Sequence, residues 1–170
     1  MTQDELVDIV DESGNFLEVV SKREAHEKGF LHKCVVAEII DSEGRWVLTL
    51  PTKGRQDASQ YVSPMGGHVS YGEADDEALK REMDEEFGFH DFKYEFIGKK
   101  IFDRHVIGRH ENHLLILYKV YSDEKPVLSH EAESYKYFTE EEIKQGFKNN
   151  PKSFGDAFHF VVKEFFPHLL

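Results

Sequence analysis

Residues 67–89 read GHVSYGEADDEALKREMDEEFGF, and this stretch decides the fold. Its apolar residues recur at the spacing of one face of an α-helix. They are Ala74, Ala78, Leu79, Met83 and Phe87. Gly88 follows directly, and a glycine at that place commonly ends a helix. The stretch therefore predicts a loop that begins at Gly67 and a helix over residues 74–87.

The polar side of this helix carries three glutamates that share one face. Glu82, Glu85 and Glu86 point the same way, because each residue of a helix turns the chain by about 100°. Like charges at this spacing destabilise a helix by roughly a few tenths of a kcal/mol per pair, whereas hard divalent cations prefer carboxylate oxygens. A merely solvated acidic face is the alternative. The neighbouring glycines and arginine favour a metal site, so we expect Mg²⁺, with Mn²⁺ as a substitute.

The whole stretch resembles the Nudix box. A glycine is followed after five residues by Glu73 and after seven more by REMDEEFGF, so all seven fixed polar and glycine positions of the box are matched. Met83 and Phe89 stand where the family usually has an aliphatic residue. The resemblance implies an α/β fold, the Nudix α/β/α sandwich with a mixed β-sheet, and metal-dependent hydrolysis of a diphosphate linkage.

The resemblance also implies roles for individual residues. The glutamates of the helix face would hold the metal together with the backbone carbonyl of Gly66 or Gly67, since glycine has no Cβ to obstruct a cation. Arg81 is expected to pair with Glu73 and brace the loop against the helix. For the general base, the first choice is Glu82, and Glu131 and Glu111 are alternatives from outside the helix.

A looser resemblance concerns a subgroup related to isopentenyl diphosphate isomerase. It rests on VDIVDESG (residues 7–14), KREAHEKGFLHK (22–33) and GGHVSYGE (66–73). Those isomerases bind a metal through two histidines before the first core strand, a histidine after the catalytic cysteine and a later Glu-x-Glu pair. The matching residues here are His26, His32, His68, Glu111 and His113.

Two departures from the isomerase pattern favour hydrolysis. Gly66 stands where the isomerase has its cysteine, and His113 replaces a glutamate, while the box itself is intact. A second metal site formed by His32, His68 and His113 is one hypothesis, and hydrogen-bonded structural histidines are the alternative. Cys34 lies in an apolar run and is expected to be a small buried hydrophobe.

Polar residues in the predicted loops are candidates for substrate binding, although loop lysines and arginines often serve only solubility. The candidates are Lys53, Arg55, Arg104, Arg109, Glu111 and Glu131. Tyr61 and Phe102 are candidates for stacking on a base or an isoprenoid tail, with core packing as the alternative.

The remaining elements follow from turn signals and β-rich runs. Strands are predicted at 6–10, 16–20, 34–40, 45–50, 92–102, 113–121 and 135–138, with a loop at 52–59 and another at 103–112. Short helices are predicted from Ser21 to His26, from Thr139 and after Pro151.

Length and composition indicate the domain organisation, the class of partner and the expected location. The 170 residues, 39% hydrophobic, predict one Nudix domain over residues 1–170, with residues 1–30 as a hairpin-and-helix extension. The net charge of −12 disfavours nucleic acid as a partner. Neither a membrane-spanning run nor a secretion signal is evident, so a cytoplasmic location is expected. A homodimer is compatible with the sequence.

Three functions are compared at this stage. The preferred one is hydrolysis of a nucleoside diphosphate derivative or a related diphosphate. The alternatives are an isopentenyl diphosphate isomerase-like enzyme and a non-catalytic nucleotide-binding Nudix module. The complete box argues against a non-catalytic module, because such a module is expected to lack part of the box.

Overall fold

A computed structural model describes residues 4–170 of the chain. The first three residues of the segment considered as a secretion signal thus lie outside the described part. The strands are β1 (Leu6–Val10), β2 (Phe16–Ser21), β3 (His32–Ile40), β4 (Trp46–Pro51), β5 (Met65–His68), β6 (Lys93–Val106), β7 (Arg109–Tyr121) and β8 (Ala132–Phe138). The helices are α1 (Lys22–Lys28), α2 (Asp75–Phe87), α3 (Glu140–Asn149) and α4 (Asp156–Phe165).

The N-terminal hairpin and its helix form as the sequence predicts. β1 and β2 pair antiparallel, and Ile9 pairs with His32, which joins the hairpin to the main sheet. The Ser21 side chain accepts a hydrogen bond from the Glu24 amide and so caps α1. The helix continues to Lys28, two residues beyond the predicted end, and stops at Gly29, which has a φ of 70°.

Strand β3 is the centre of the mixed sheet. It runs parallel to β7 along its whole length and antiparallel to β1, β4 and β5. Its predicted hairpin with β4 is paired only next to the turn, after which β4 diverges to pair with β8. β5 takes the vacated place beside β3. The sequence did not reveal β5, because its two central residues are glycines, which are rare in strands.

The prediction of a loop over residues 103–112 is wrong. β6 and β7 instead form one long hairpin whose pairing continues to Val106 and Arg109. Ile107 and Gly108 make the turn with positive φ values of 47° and 72°, as a two-residue hairpin turn requires. Arg104 lies opposite Glu111 and donates a hydrogen bond to it, so polar residues that suggested a loop stabilise the strand pair.

Two apolar layers sandwich the sheet, because successive residues of β3 face opposite sides. Val35, Ala37 and Ile39 pack in the cluster that contains the apolar face of α2. Cys34 and Val36 pack in the cluster that contains α3 and α4. The fold is therefore an α/β/α sandwich with a mixed sheet, as the box resemblance implied.

The C-terminal elements follow the predicted order with one shift. Thr139 caps α3, and the reciprocal hydrogen bond from the Thr139 amide to Glu142 completes the capping box. Pro151–Ser153 form a single 3₁₀ turn, so the last helix begins at Asp156 rather than directly after the proline. Within residues 4–170, no helix has the length and apolar character needed to cross a membrane.

Candidate active site and histidine cluster

A cavity of about 590 Å³ lies over the sheet face that carries Cys34 and Val36. It brings together residues that are far apart in sequence, including carboxylates, cations and histidines. Its polar and glycine lining includes Lys22, Arg55, Asp57, Ser63, Gly66, Gly67, His68, Glu86, Arg104, Arg109, Glu111, His113 and Glu131. Ala157 and Val161 of α4 close it from above.

The three glutamates of α2 differ in their surroundings. Glu82 is 9% exposed and lies directly beneath the backbone of Gly67. A Cβ on Gly67 would overlap the carboxyl group of Glu82, so only glycine permits this approach. Glu85 is exposed, whereas Glu86 is half-buried and lines the cavity. The box thus presents one carboxylate under the loop and another in the cavity wall.

Arg81 connects the loop to the helix. Its guanidinium donates two hydrogen bonds to Glu73, of 2.8 and 2.9 Å, and one of 3.0 Å to the carbonyl of His68. It also donates to Glu82 at 2.8 Å, although adjacent helix positions point about 100° apart. The arginine side chain is long enough to reach Glu82 in spite of this angle. Arg81 therefore fixes both β5 and the loop relative to Glu82.

Glu86 has a second carboxylate as a neighbour. Its side chain accepts a hydrogen bond of 2.8 Å from the Ser129 hydroxyl, and Glu131 lies close enough to raise the pKa of Glu86 further. Glu131 also forms an ion pair of 3.2 Å with Arg55. The cavity wall therefore contains a pair of carboxylates, one from α2 and one from the segment before β8.

Two glutamates of the box have raised pKa values. Burial raises the pKa of Glu82 to about 7, against the opposing effect of Arg81. Burial, together with the charge of Glu131, also raises the pKa of Glu86. A divalent cation would stabilise the ionised form of both groups. The added Cβ of a residue at position 66 would meet no atom within 4 Å, so the backbone there is open to the cavity. This oxygen-rich donor set fits Mg²⁺ or Mn²⁺.

Four histidines converge next to the cavity, and two of them line it. They are His26, His32, His68 and His113, and one ring nitrogen from each lies within 4.8 Å of the others. His26 Nε2 is 3.4 Å from His113 Nε2 and 3.3 Å from His68 Nε2. A tetrahedral ion with arms of about 2.0–2.1 Å would separate its nitrogen ligands by about 3.3–3.4 Å. These two separations equal such edges, and the other pairs of ring nitrogens lie within 4.8 Å.

The protonation of the cluster also suits a metal. Burial lowers the pKa of His26 to about 4 and that of His113 to about 2, and it lowers the pKa of His68 well below its usual range. The rings are therefore neutral near pH 7. His32 Nδ1 donates to the Phe30 carbonyl at 2.8 Å, which leaves Nε2 with a lone pair. That buried Nε2 has no protein partner among residues 4–170.

Two arginines that line the cavity are paired with carboxylates. Arg104 and Arg109 both donate to Glu111, at 3.1 and 2.9 Å, and Arg104 also lies 3.6 Å from Asp57. Glu111 is 5% exposed and is committed to these two arginines. Arg104 and Arg109 line the cavity, and the buried Nη1 of Arg104 makes no hydrogen bond within the described chain.

Some predicted residues lie elsewhere. Lys53 is exposed on the loop and does not line the cavity, although Arg55 does. Tyr61 packs edge-on against Phe138 in the core, whereas Phe102 lines the cavity under Arg104. Cys34 is buried at the cavity floor, and burial raises its pKa.

Sequence reasoning missed Asp57, Glu38 and Ser63. Asp57 pairs with Arg104, and Ser63 lines the cavity while bonding the buried Glu38. A charged residue inside the apolar run CVVAEII was the available signal for Glu38. No spacing rule connects Asp57 to Arg104, because their contact depends on the hairpin.

Comparison with known proteins agrees with this architecture. An uncharacterized Nudix hydrolase of Streptomyces coelicolor is 34% identical over 107 residues, which are 59% of this chain and 56% of that protein. An isopentenyl-diphosphate Delta-isomerase of Serratia proteamaculans is 32% identical over 87 residues, 51% of this chain and 49% of the relative. The chain thus matches about half the length of these curated relatives.

Solved structures share the fold at low sequence identity. A protein of Deinococcus radiodurans superposes with a TM-score of 0.73 at 16% identity, covering 94% of this chain and 98% of the other. A MutT protein of Methanosarcina mazei gives 0.63 at 22% identity, covering 82% and 92%. Residues 31–158 match the family described as NUDIX domain. This match includes α2, its carboxylates and three of the four histidines, and the chain belongs to the NUDIX domain family.

Proposed function

We propose that this protein hydrolyses a diphosphate linkage in a nucleoside diphosphate derivative or a related compound. The observation that carries this proposal is the complete carboxylate box at a cavity that three arginines also line. Glu82, Glu85 and Glu86, with the Gly66 or Gly67 carbonyl, would hold Mg²⁺ or Mn²⁺. When bound, the cation offsets the charge of the diphosphate and lowers the pKa of an attacking water.

The chain's own residues would prepare the site in two ways. Arg81 and Glu73 hold the glycine loop against α2, so the carbonyl of Gly66 or Gly67 would stay close to Glu82. Arg104, Arg109 and Arg55 would attract the terminal phosphates, which a chain with a net charge of −12 otherwise repels. Arg104 lines the cavity, and its Nη1, which is 3.6 Å from Asp57 Oδ2, makes no hydrogen bond in the described chain.

Glu131 is the general base that the cavity favours. It lines the cavity beside Glu86, whereas Glu82 lies under Gly67 with its carboxylate on Arg81. Glu111 is committed to ion pairs with two arginines. Glu131 would take the proton of the attacking water, and its ion pair with Arg55 would hold the carboxylate in place.

We further propose that the histidine cluster is a second metal site, of a different kind from the first. Four neutral nitrogens without a carboxylate ligand suit a borderline transition metal such as Zn²⁺ rather than Mg²⁺. Two nitrogen separations that equal tetrahedral edges, and the unpartnered Nε2 of His32, support this site. It extends the three-histidine hypothesis by adding His26.

Isomerisation is the weaker alternative. The cavity has Gly66 at the position where the isomerase resemblance expects a cysteine, and Cys34 is buried within the apolar layer with a raised pKa. A homodimer and a cytoplasmic location stay predictions.

The hydrolysis proposal is tested by incubating the protein with a panel of diphosphate compounds and Mg²⁺ or Mn²⁺, at neutral and alkaline pH, and identifying the products. The panel includes nucleoside diphosphate derivatives and isopentenyl diphosphate. Phosphate-bearing fragments are expected from at least one compound. Proton exchange into isopentenyl diphosphate without cleavage would favour the isomerase, and an intact panel would favour a binding module.

The second site is tested by elemental analysis of the purified protein. After dialysis against Mg²⁺, about one equivalent of a transition metal is expected to remain. Protein that takes up no Zn²⁺ or Co²⁺ when these are supplied would contradict the proposal.

A further inference from the structure

Strand β6 leaves one long edge of the sheet open. Among residues 4–170 it pairs with β7 alone, so the backbone groups along its other edge face no partner strand. Tyr94, Phe96 and Ile101 of this strand are 37%, 52% and 38% exposed. An open edge with exposed apolar side chains is a place where another strand can add to the sheet.

A β-bulge divides β6 and decides which of its side chains share a face. Phe96 pairs with Tyr118 and Gly98 pairs with Leu117, so Ile97 is an extra residue without a place in the pairing. Ile97 packs with the cluster on the α4 side of the sheet, which is also the side that Gly98 faces. The usual alternation of faces is therefore interrupted once, between these two residues.

The bulge puts a glutamate and a lysine of β6 on the same face. Glu95 and Lys100 lie opposite residues of β7 that are four positions apart, and such residues face the same side. Glu95 accepts a hydrogen bond of 3.0 Å from the Tyr121 hydroxyl, and the Lys100 amine is 3.8 Å from Glu164. Both side chains nevertheless stay exposed, so each is accessible to a further partner of opposite charge.

A second copy of the chain fits this edge in one register. When two β6 strands pair antiparallel about a two-fold axis, Ile97 of one copy can lie opposite the partner's Gly98. Every pair on either side of the axis then consists of residues that face the same side of the sheet. Any other register that spans the bulge puts at least one pair on opposite faces, because the alternation is interrupted only there.

This register also brings opposite charges together. Glu95 lies opposite the partner's Lys100, and the two-fold axis repeats the pair, so two ion pairs form. On the other face, Tyr94 lies opposite the partner's Ile101, and Phe96 is next to this pair. These apolar side chains are the ones that the single chain leaves exposed. One arrangement thus accounts for the open backbone, the exposed charges and the apolar patch.

The other two strands that end the sheet, β2 and β8, lack this complementarity. Glu18 is the one charged residue of β2, so two copies of that strand bring no opposite charges together. In β8, a pair between Glu133 and the partner's Lys136 would put Ser134 opposite Tyr135. Those two residues are adjacent in the pairing with β4 and face opposite sides.

We infer that the open edge of β6 is a dimer interface, at which a second copy of this chain adds its own β6 antiparallel to the first. Main-chain hydrogen bonds between the strands supply the attraction. The bulge and the pairs of Glu95 with Lys100 select the register. The eight-stranded sheet of one chain then continues directly into that of its partner.

Sedimentation equilibrium of the full chain over about 5–500 µM tests the interface without any substrate. The natural protein is expected to show a monomer–dimer equilibrium. Glu95→Lys and Lys100→Glu each make two attractive pairs repulsive and should raise the dimer dissociation constant at least about 10-fold. The double variant exchanges the charges and should return this constant to within about 3-fold of the natural value. Glu18→Lys, at an exposed glutamate of β2, is the matched control.

Disulfide trapping tests the register. Opposite Cα atoms of an antiparallel pair are about 4.5–5.5 Å apart, which a disulfide can bridge. Glu95→Cys protein mixed with Lys100→Cys protein should give a covalent dimer on oxidation. Glu95→Cys protein alone should not, because its two copies of position 95 are about 16 Å apart. A mixture with Ile101→Cys, which faces the other side, is the matched control, and the buried Cys34 stays in place.

Three results would overturn the inference. A monomer at every concentration would mean that the lysines and the bulge only protect this edge from pairing. A dimer that Glu95→Lys leaves unchanged would locate the interface elsewhere, and at β2 if Glu18→Lys weakens it. A dimer that Glu95→Lys weakens but the exchanged charges do not restore would exclude this register. The changed side chains are exposed, so equal melting temperatures confirm that every variant is folded.

Discussion

The oxygen-rich and nitrogen-rich clusters adjoin β5, and they are built in opposite ways. Glu82, Glu85 and Glu86 come from a single helical turn, so local periodicity brings them together. His26 and His113 come from α1 and β7 and are 87 residues apart, so only the parallel pairing of β3 with β7 joins them. The carboxylate cluster can be predicted from a short stretch of sequence, whereas the histidine cluster depends on sheet topology.

The clusters also differ in charge. Burial raises the pKa of Glu82 and Glu86, because ionised carboxylates without a cation are unfavourable there. Burial lowers the pKa of His26 and His113, because the neutral ring is the stable form. Mg²⁺ would neutralise the first cluster, whereas an ion in the second would keep its full charge. The two clusters would therefore suit ions of different kinds.

The largest expected effect is a loss of activity caused by a change in the oxygen-rich cluster alone. Glu86→Gln removes a carboxylate from the oxygen cluster and should lower kcat/KM for the cleaved diphosphate by about 10³-fold. Its melting temperature and its transition-metal content should not fall. Steady-state kinetics with Mg²⁺ provide the measurement, and Glu140→Gln, at a glutamate of α3, is the control. Retained activity in Glu86→Gln would remove the hydrolase assignment.

A second variant addresses the nitrogen cluster alone. His113→Ala removes one of four proposed ligands and should weaken retention of the transition metal by at least about 100-fold. The measurement is elemental analysis, together with the visible absorption of the Co²⁺-loaded protein. His90→Ala, at an exposed histidine, should behave like the natural protein. Unchanged metal content in His113→Ala would make the cluster a structural feature.

A pair of glycine variants tests the contact at which the loop meets the oxygen cluster. Gly67→Ala adds a Cβ that overlaps the Glu82 carboxyl group, and it should destabilise the protein by about 1–3 kcal/mol. Gly66→Ala adds a Cβ into open space and should keep the natural stability. Urea unfolding followed by tryptophan fluorescence compares the two. Equal stability of both variants would mean that Glu82 does not lie against Gly67.

The last prediction concerns the pH dependence of stability. Glu38 ionises near 4.5 in an unfolded chain and near 8 in the folded protein. Between those values only the unfolded state releases the proton, so the free energy of unfolding contributed by this group decreases as pH rises. The total change is on the order of a few kcal/mol. Glu38→Gln should flatten this slope in denaturation curves from pH 5 to 8, and an unchanged slope would show that Glu38 is ionised when buried.

Predictability from sequence varied along the chain for physical reasons. Helix α2, its end at Gly88 and the capping box at Thr139 were predicted because each depends on neighbours within about one turn. The loop predicted over residues 103–112 was wrong because its polar side chains pair across two strands, as Arg104 does with Glu111. β5 was missed because glycine has a low strand propensity, although Gly67 is needed there for the close contact with Glu82.

By itself, the sequence determined the carboxylate box, the helix that displays it and the family to which the chain belongs, because these follow from periodic and local patterns. Only the tertiary structure decided that His26 joins the other three histidines, that Glu131 lies beside Glu86 and that Ser63 connects Glu38 to the cavity. Those contacts form between strands and loops that are distant in sequence. Their geometry is set by strand pairing and burial, which no short stretch of residues encodes.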